Sequence, residues 1–227
     1  MERKDMTGKL IVLEGIDGSG KATQSALLVK ALQQEGRKVM KISFPDYDSP
    51  SSALVKLYLD GAFGPDPSDV NPYAASLFYA VDRFASYRMK WKPFYENGGI
   101  VIADRYVTSN MVHQMTKYDD GAERDHFLSW LEDTEYGKLE LPRPDRVILL
   151  DVPLAISEAL VAERARKGGS MDIHEQHREY LRRCHDACRY LSRRYGWMAI
   201  ACAEEGRLRP AASIQKDVKA AADAVLS

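Results

Sequence analysis

This chain of 227 residues encodes an α/β domain built on a five-stranded parallel sheet flanked by helices. Short apolar runs rich in Val, Ile and Leu recur along it. Longer segments with apolar residues at helical spacing lie between them, and a glycine-rich turn joins the first run to the first such segment. Strand-length runs alternating with helices imply parallel strands, buried on both faces and joined by right-handed crossovers.

The runs fall at 9–14, 38–44, 100–104, 146–151 and 197–202. After the first, Ser25, Leu28, Val29 and Leu32 repeat at helical spacing, and Leu154, Ile156, Leu160 and Val161 do so after the fourth. The interval 49–99 is too long for one crossover helix. Turn signals at 61–69 and at Asn71-Pro72 divide it into two helices, the second running from 71 to about 96. That helix carries Tyr73, Leu77, Phe78, Tyr79, Phe84, Tyr87 and Trp91, a composition suited to core or to a subunit contact.

With 45% hydrophobic and 29% charged residues, the chain has apolar content for one core, and one domain is expected over 1–227. A formal net charge of -1 provides no global field for a nucleic-acid polymer or an anionic membrane, so anions are expected to be bound locally. The apolar stretch 10–13 is too short to span a bilayer, and 1–9 lacks the cationic-then-apolar order of a secretory signal; a cytoplasmic location is expected. Cys184, Cys188 and Cys202 make no even framework and are read as reduced packing residues.

The glycine-rich turn is Gly15-Ile16-Asp17-Gly18-Ser19-Gly20-Lys21, a G-x-x-x-x-G-K loop between strand and helix. Its glycines let successive N–H groups and the helix N-terminus face phosphates, while Lys21 supplies a mobile charge. An ATP-binding set of Gly15, Asp17, Gly18, Ser19, Gly20, Lys21, Ala22 and Thr23 follows. Ala22 departs from the pattern, because a Ser or Thr hydroxyl normally binds magnesium there. Thr23 is no simple substitute, since one residue along a helix rotates a side chain by about 100°. Magnesium is therefore expected on Asp17, Asp104 and water.

Asp104-Arg105-Tyr106 ends the third run, at the edge where open α/β sheets bind ligands. A structural ion pair would look the same, but a phosphate loop on the same sheet edge favours a functional one.

Four motifs in order, Glu14 to Gln24, Phe44-Pro45-Asp46-Tyr47, Phe78 to Arg83 and Asp104 to Asn110, resemble the thymidylate kinase family. The resemblance covers most of the chain and implies a P-loop nucleoside monophosphate kinase fold with a short lid. It implies transfer of the ATP γ-phosphate to thymidine monophosphate (dTMP), with magnesium, in a homodimer packed through helices. It also implies that Arg105 grips the acceptor phosphate, Arg83 reaches the pyrimidine O4, and Tyr79 stacks on the base where the family usually has Phe. Asn110 would bond the thymine edge, Asp17 would lie near the acceptor 3′-hydroxyl, and Phe44, Pro45, Tyr47 and Ser109 would complete the acceptor site. His113 departs from a family position that is commonly Tyr or Phe beside the deoxyribose; a helix residue with one hydrogen bond is the alternative reading.

The segment 164–175, with Arg164, Arg166, Lys167, Gly168 and Gly169, resembles the family's lid. A basic stretch on a Gly-Gly hinge can close over a triphosphate, although a solvated helix end has the same composition. Because Gly18 stands where some members have a loop arginine, Arg164 or Arg166 is expected to neutralise charge in the transition state. Asp172-Ile173-His174-Glu175 resembles the acidic lid end, although His174 and Glu175 equally suit the start of a helix. His174 and His177 are one turn apart without a third ligand, and no zinc site is expected.

A phosphate nucleophile, mostly dianionic at neutral pH, needs positioning and cations more than a base. Two rivals share part of the pattern. A deoxynucleoside kinase would use Asp104 as a base on a 5′-hydroxyl, and a P-loop switch protein would hydrolyse ATP without an acceptor.

Overall fold

The computed structural model describes residues 7–166 and 178–226, the side chain of Arg164 excepted. The strands β1 (Lys9–Glu14), β2 (Val39–Ser43), β3 (Ile100–Asp104), β4 (Arg146–Asp151) and β5 (Met198–Ala201) form one sheet in the order β2-β3-β1-β4-β5, every neighbouring pair parallel. Three predicted runs coincide with their strands; the second and fifth strands are one residue shorter at each end.

The helices are α1 (Lys21–Gln34), α2 (Ala53–Leu59), α3 (Pro72–Ser86), α4 (Lys92–Glu96), α5 (Val107–Met115), α6 (Gly121–Glu132), α7 (Leu154–Arg166), α8 (Arg178–Tyr195) and α9 (Ala211–Leu226). Successive β1 side chains enter opposite layers, as strand pleating requires. Ile11 and Leu13 meet Leu28 and Leu32 of α1 and Val218 of α9. Leu10 and Val12 belong to the other layer with Met111 of α5, Phe127 and Leu131 of α6 and Leu191 of α8. Cys184 and Cys188 are free and buried on the inner face of α8, and Cys202 is free and buried too.

The interval 49–99 holds more than two simple helices. Asn71 caps α3, its Oδ1 accepting from the Ala74 N–H at 2.9 Å. The rod to Glu96 is interrupted by a π-helical turn, Tyr87–Trp91, just before Pro93. Proline has no N–H for the regular ladder, and a widened turn absorbs the defect. A short hairpin, β6 (Ala203–Glu204) with β7 (Arg207–Leu208), was not anticipated. Its Glu205-Gly206 turn has φ 48 and 76, the primed geometry usually signalled by Asn-Gly.

The sheet order decides where a site can form. β1 and β3 are neighbours with Leu13 beside Asp104, so the loops after these two strands emerge side by side at the carboxyl edge. Among the described residues, no helix is long and apolar enough to cross a membrane.

Candidate active site

The loop after β1 holds Gly15, Gly18 and Gly20 at φ 149, 76 and 85, a region that L side chains rarely adopt. At Gly18 a Cβ would also lie 2.9 Å from the Ser157 carbonyl and 3.3 Å from Val161 Cγ2, so α7 closes the space an arginine there would need. The Ser157 hydroxyl donates to the Asp17 carbonyl and pins the loop to α7. Gly20 caps α1, leaving first-turn N–H groups at the loop. Lys21 is buried, its Nζ donating to the Gly15 and Ile16 carbonyls at 2.8 and 2.9 Å, with the buried Ser19 Oγ at 3.5 Å. Burial and then Arg105 lower its pKa, against Asp17, Glu14 and Asp104. Ala22 and Thr23 are exposed on α1.

Arg105 follows β3 at φ 67, a left-handed conformation that costs a non-glycine residue about 1 kcal/mol or more. Its N–H still bonds the Leu13 carbonyl at 3.1 Å, and its guanidinium returns over the phosphate loop. Nη2 donates to Asp17 Oδ1, and Nη1 lies 3.3 Å from both Ser109 Oγ and His113 Nε2. Burial disfavours this cation, but Asp17, Glu14 and Asp104 outweigh it and raise its pKa.

Glu14, fully buried, accepts from the Gly15 N–H at 2.9 Å, Thr108 Oγ1 at 2.7 Å and Ser109 Oγ at 2.8 Å. It joins the phosphate loop to α5, and Ser109 serves that joint. Sequence reading missed Glu14 as a site residue, although a carboxylate closing an otherwise apolar strand was its signal. Asp104 is buried, and no hydrogen bond or ion pair among the described residues claims its carboxylate.

His113 has more than one ring partner, Arg105 at Nε2 and both Tyr180 and, at 3.6 Å, Cys184 Sγ at Nδ1. Arginine only donates, so Nε2 accepts and Nδ1 carries the hydrogen toward the Tyr180 hydroxyl, 3.0 Å away in the first turn of α8. The acceptor-side arginine is thereby tied to the helix that follows the lid segment.

On α3, Ser76, Tyr79 and Arg83 share one face, opposite Asn110 of α5. Tyr79 is half-buried with its ring edge-on to Tyr58. Arg83 is buried against Glu135, which also receives Asn110. Phe44 is buried against Tyr106, and the Phe44-Pro45 peptide is cis. Asp82, a further missed residue, accepts from the Asp46 N–H at 2.8 Å and Ser51 Oγ at 2.6 Å and so shapes the turn that leaves Tyr47 exposed. Arg166 is exposed on the last turn of α7, its Nε 3.4 Å from the Ala162 carbonyl. The Arg164 side chain and residues 167–177, which include the rest of the expected lid with Asp172, His174 and Glu175, lie outside the described residues.

Helix α5 thus links two groups of residues: the backbone N–H cradle with Lys21 and Arg105, which meets Ser109 and His113, and the α3 face of Tyr79 and Arg83, which joins Asn110 through Ser76 and Glu135. The first group suits phosphates and the second a planar base. The sequence profile described as thymidylate kinase matches residues 13–208. This chain belongs to the thymidylate kinase family. The probable thymidylate kinase of Thermococcus gammatolerans is 33% identical over 162 residues, 70% of this chain and 73% of that one. The thymidylate kinase of Mycobacterium tuberculosis strain H37Rv is 32% identical over 164 residues, 72% and 73% of the two chains. In fold, the chain is similar to a solved thymidylate kinase from Candida albicans, with a TM-score of 0.73 at 20% identity over 96% of this chain and 92% of that chain.

Proposed function

We propose that this enzyme transfers the γ-phosphate of ATP to dTMP, giving dTDP and ADP, a step toward dTTP. The contact between Arg105 and Asp17 carries the reading: it joins the phosphate loop after β1 to the Asp-Arg strand end after β3 at one point of the sheet edge. Lys21 and the N–H groups of 15–21 bind the donor phosphates, and Arg105 takes the acceptor phosphate. Two polyanions are brought into line by cations, so positioning and charge compensation supply the catalysis. Tyr79, Arg83 and Asn110 receive the base, with Phe44, Pro45, Tyr47 and Ser109 around the acceptor. Arg164 and Arg166 close over the donor with the lid.

Magnesium suits these residues with water and nucleotide oxygens completing its shell. Among the described residues no group of three or more His, Cys, Asp or Glu side chains is placed to hold a metal, whereas the Asp104 carboxylate is unclaimed near Lys21 and Arg105. Asp104, and Asp17 through water, would hold the ion, which neutralises phosphate charge when bound.

The outer face of α3 supports a homodimer. Leu77, Val81 and Phe84 are 45%, 53% and 39% exposed at spacings of four and three residues, an apolar stripe of the kind that subunit contacts cover. A cytoplasmic enzyme acting on small nucleotides fits the near-neutral net charge.

An initial-rate screen of nucleoside monophosphates with ATP and magnesium tests the activity, and dTMP is expected to show the highest kcat/KM. Phosphorylation of thymidine in place of dTMP, or ATP turnover independent of any acceptor, would overturn it.

A further inference from the structure

Glu135 is a buried carboxylate that the phosphoryl-transfer scheme does not use. It sits on a π-helical turn, Asp133–Lys138, directly after α6, and such turns often mark functional sites. Though 52 residues from Arg83 in sequence, it meets that side chain fork to fork, Nε to Oε2 at 2.6 Å and Nη2 to Oε1 at 2.5 Å. Both partners are shielded from solvent. Net stability is a weak explanation for such a pair, because desolvating two ions offsets most of their attraction.

The hydrogen bonds around Glu135 dictate what the neighbouring groups offer a ligand. Arg83 has five N–H groups. Two are held by Glu135 and one Nη1 hydrogen reaches the Tyr106 carbonyl at 3.4 Å, so one hydrogen on each Nη remains. Burial disfavours the Arg83 cation, but Glu135 outweighs it and keeps the group charged and donor-only. Asn110 Nδ2 faces two acceptors, the Ser76 carbonyl at 3.2 Å and Glu135 Oε1 at 3.3 Å. That orients the amide: both hydrogens are committed, and Oδ1 accepts from no described residue.

Both groups bond Glu135 Oε1, so a charged donor and a carbonyl acceptor stand side by side. A 4-keto pyrimidine, thymine or uracil, presents an O4 acceptor next to an N3–H donor, which this pattern complements. Cytosine presents a 4-amino donor next to an N3 acceptor, the inverse arrangement. We propose that Glu135 is a positioning residue that fixes this donor and acceptor pattern and so selects 4-keto over 4-amino pyrimidine monophosphates. The inference rests on the reading above that the acceptor base lies between α3 and α5. It is silent on the 5-methyl group, so it separates dCMP from dTMP and dUMP and leaves those two alike.

The test is kcat/KM for dTMP, dUMP and dCMP, with the KM for ATP, in the wild type and Glu135→Gln. A glutamine amide would face the Arg83 donors with its own hydrogens and release Asn110 to turn. The expected result is a rise of about tenfold or more in the dTMP KM, the size of one lost charge-assisted hydrogen bond. The preference for dTMP over dCMP should collapse in the same variant, while the KM for ATP holds. Should Glu135→Gln fail to fold, Glu135→Asp, which keeps the charge and withdraws it by one methylene, carries the same comparison. An unchanged dTMP to dCMP ratio with activity lowered for both would overturn the proposal as a merely structural role. A wild type that ignores dTMP would instead overturn the functional reading beneath it.

Discussion

Gln114, on α5 one helical turn beyond Asn110, is fully buried with neither its amide donor nor its acceptor partnered in the described structure. Leaving buried polar atoms unpaired costs about 1–3 kcal/mol, and each such group in a native protein calls for a specific explanation, a ligand contact being one. Ser76 Oγ, buried on the facing side of α3, is in the same condition. Gln114→Met should therefore raise Tm by a few degrees, at roughly 2–4 °C per kcal/mol for a chain of this size. The same change should raise the KM for dTMP and leave that for ATP unaltered. Thermal melts with and without dTMP check both halves; a lower Tm in the free variant would mean that the amide already stabilises the empty protein.

At the scale of elements, the loop between α2 and α3 is held by a lysine in the wrong solvent. Lys117, just past α5, donates to the Val70 carbonyl at 2.7 Å and lies over the Tyr58 ring, and burial lowers its pKa to about 8. The unfolded chain holds this proton up to the ordinary lysine range, so between those values the unfolded state binds more protons and stability rises with pH. Below about pH 8 the penalty of the buried cation is fully present. Between pH 7 and 9 this one group should add about 1 kcal/mol of stability, at about 1.4 kcal/mol per pKa unit. Lys117→Met should remove that slope whatever its constant effect on stability, which denaturant melts at pH 7, 8 and 9 would measure. The proposed dimer contact on the α3 stripe makes a parallel case, since one outward residue should decide it. Val81→Glu is expected to convert a dimer to a monomer in analytical ultracentrifugation, since a charge at its centre would be desolvated without a partner.

Over the whole molecule, what was legible in the sequence followed periodicity. Alternation of apolar runs with helical segments located all five sheet strands, and the local spacing from Gly15 to Lys21 located the phosphate loop. The β6 and β7 hairpin escaped because its runs are two residues each and its turn uses glutamate where asparagine would be diagnostic. Glu14, Asp82 and Glu135 were hidden for another reason. A lone carboxylate carries no periodic signal, and the partners that give it meaning lie elsewhere in the chain: Thr108 for Glu14, the Asp46 turn for Asp82, Arg83 for Glu135.

The contacts that tie the phosphate loop to the rest of the fold are distant in sequence: Asp17 meets Arg105 across 88 residues, Glu14 meets Thr108 across 94, and Ser157 meets Asp17 across 140. In synthesis from the N-terminus, the loop is made before each of these partners and stays unbraced until they follow. A nascent chain carries the full G-x-x-x-x-G-K motif long before it has any rigid phosphate cradle. A rigid cradle is thus expected only once Ser157 has joined Asp17, well after the motif itself has been made.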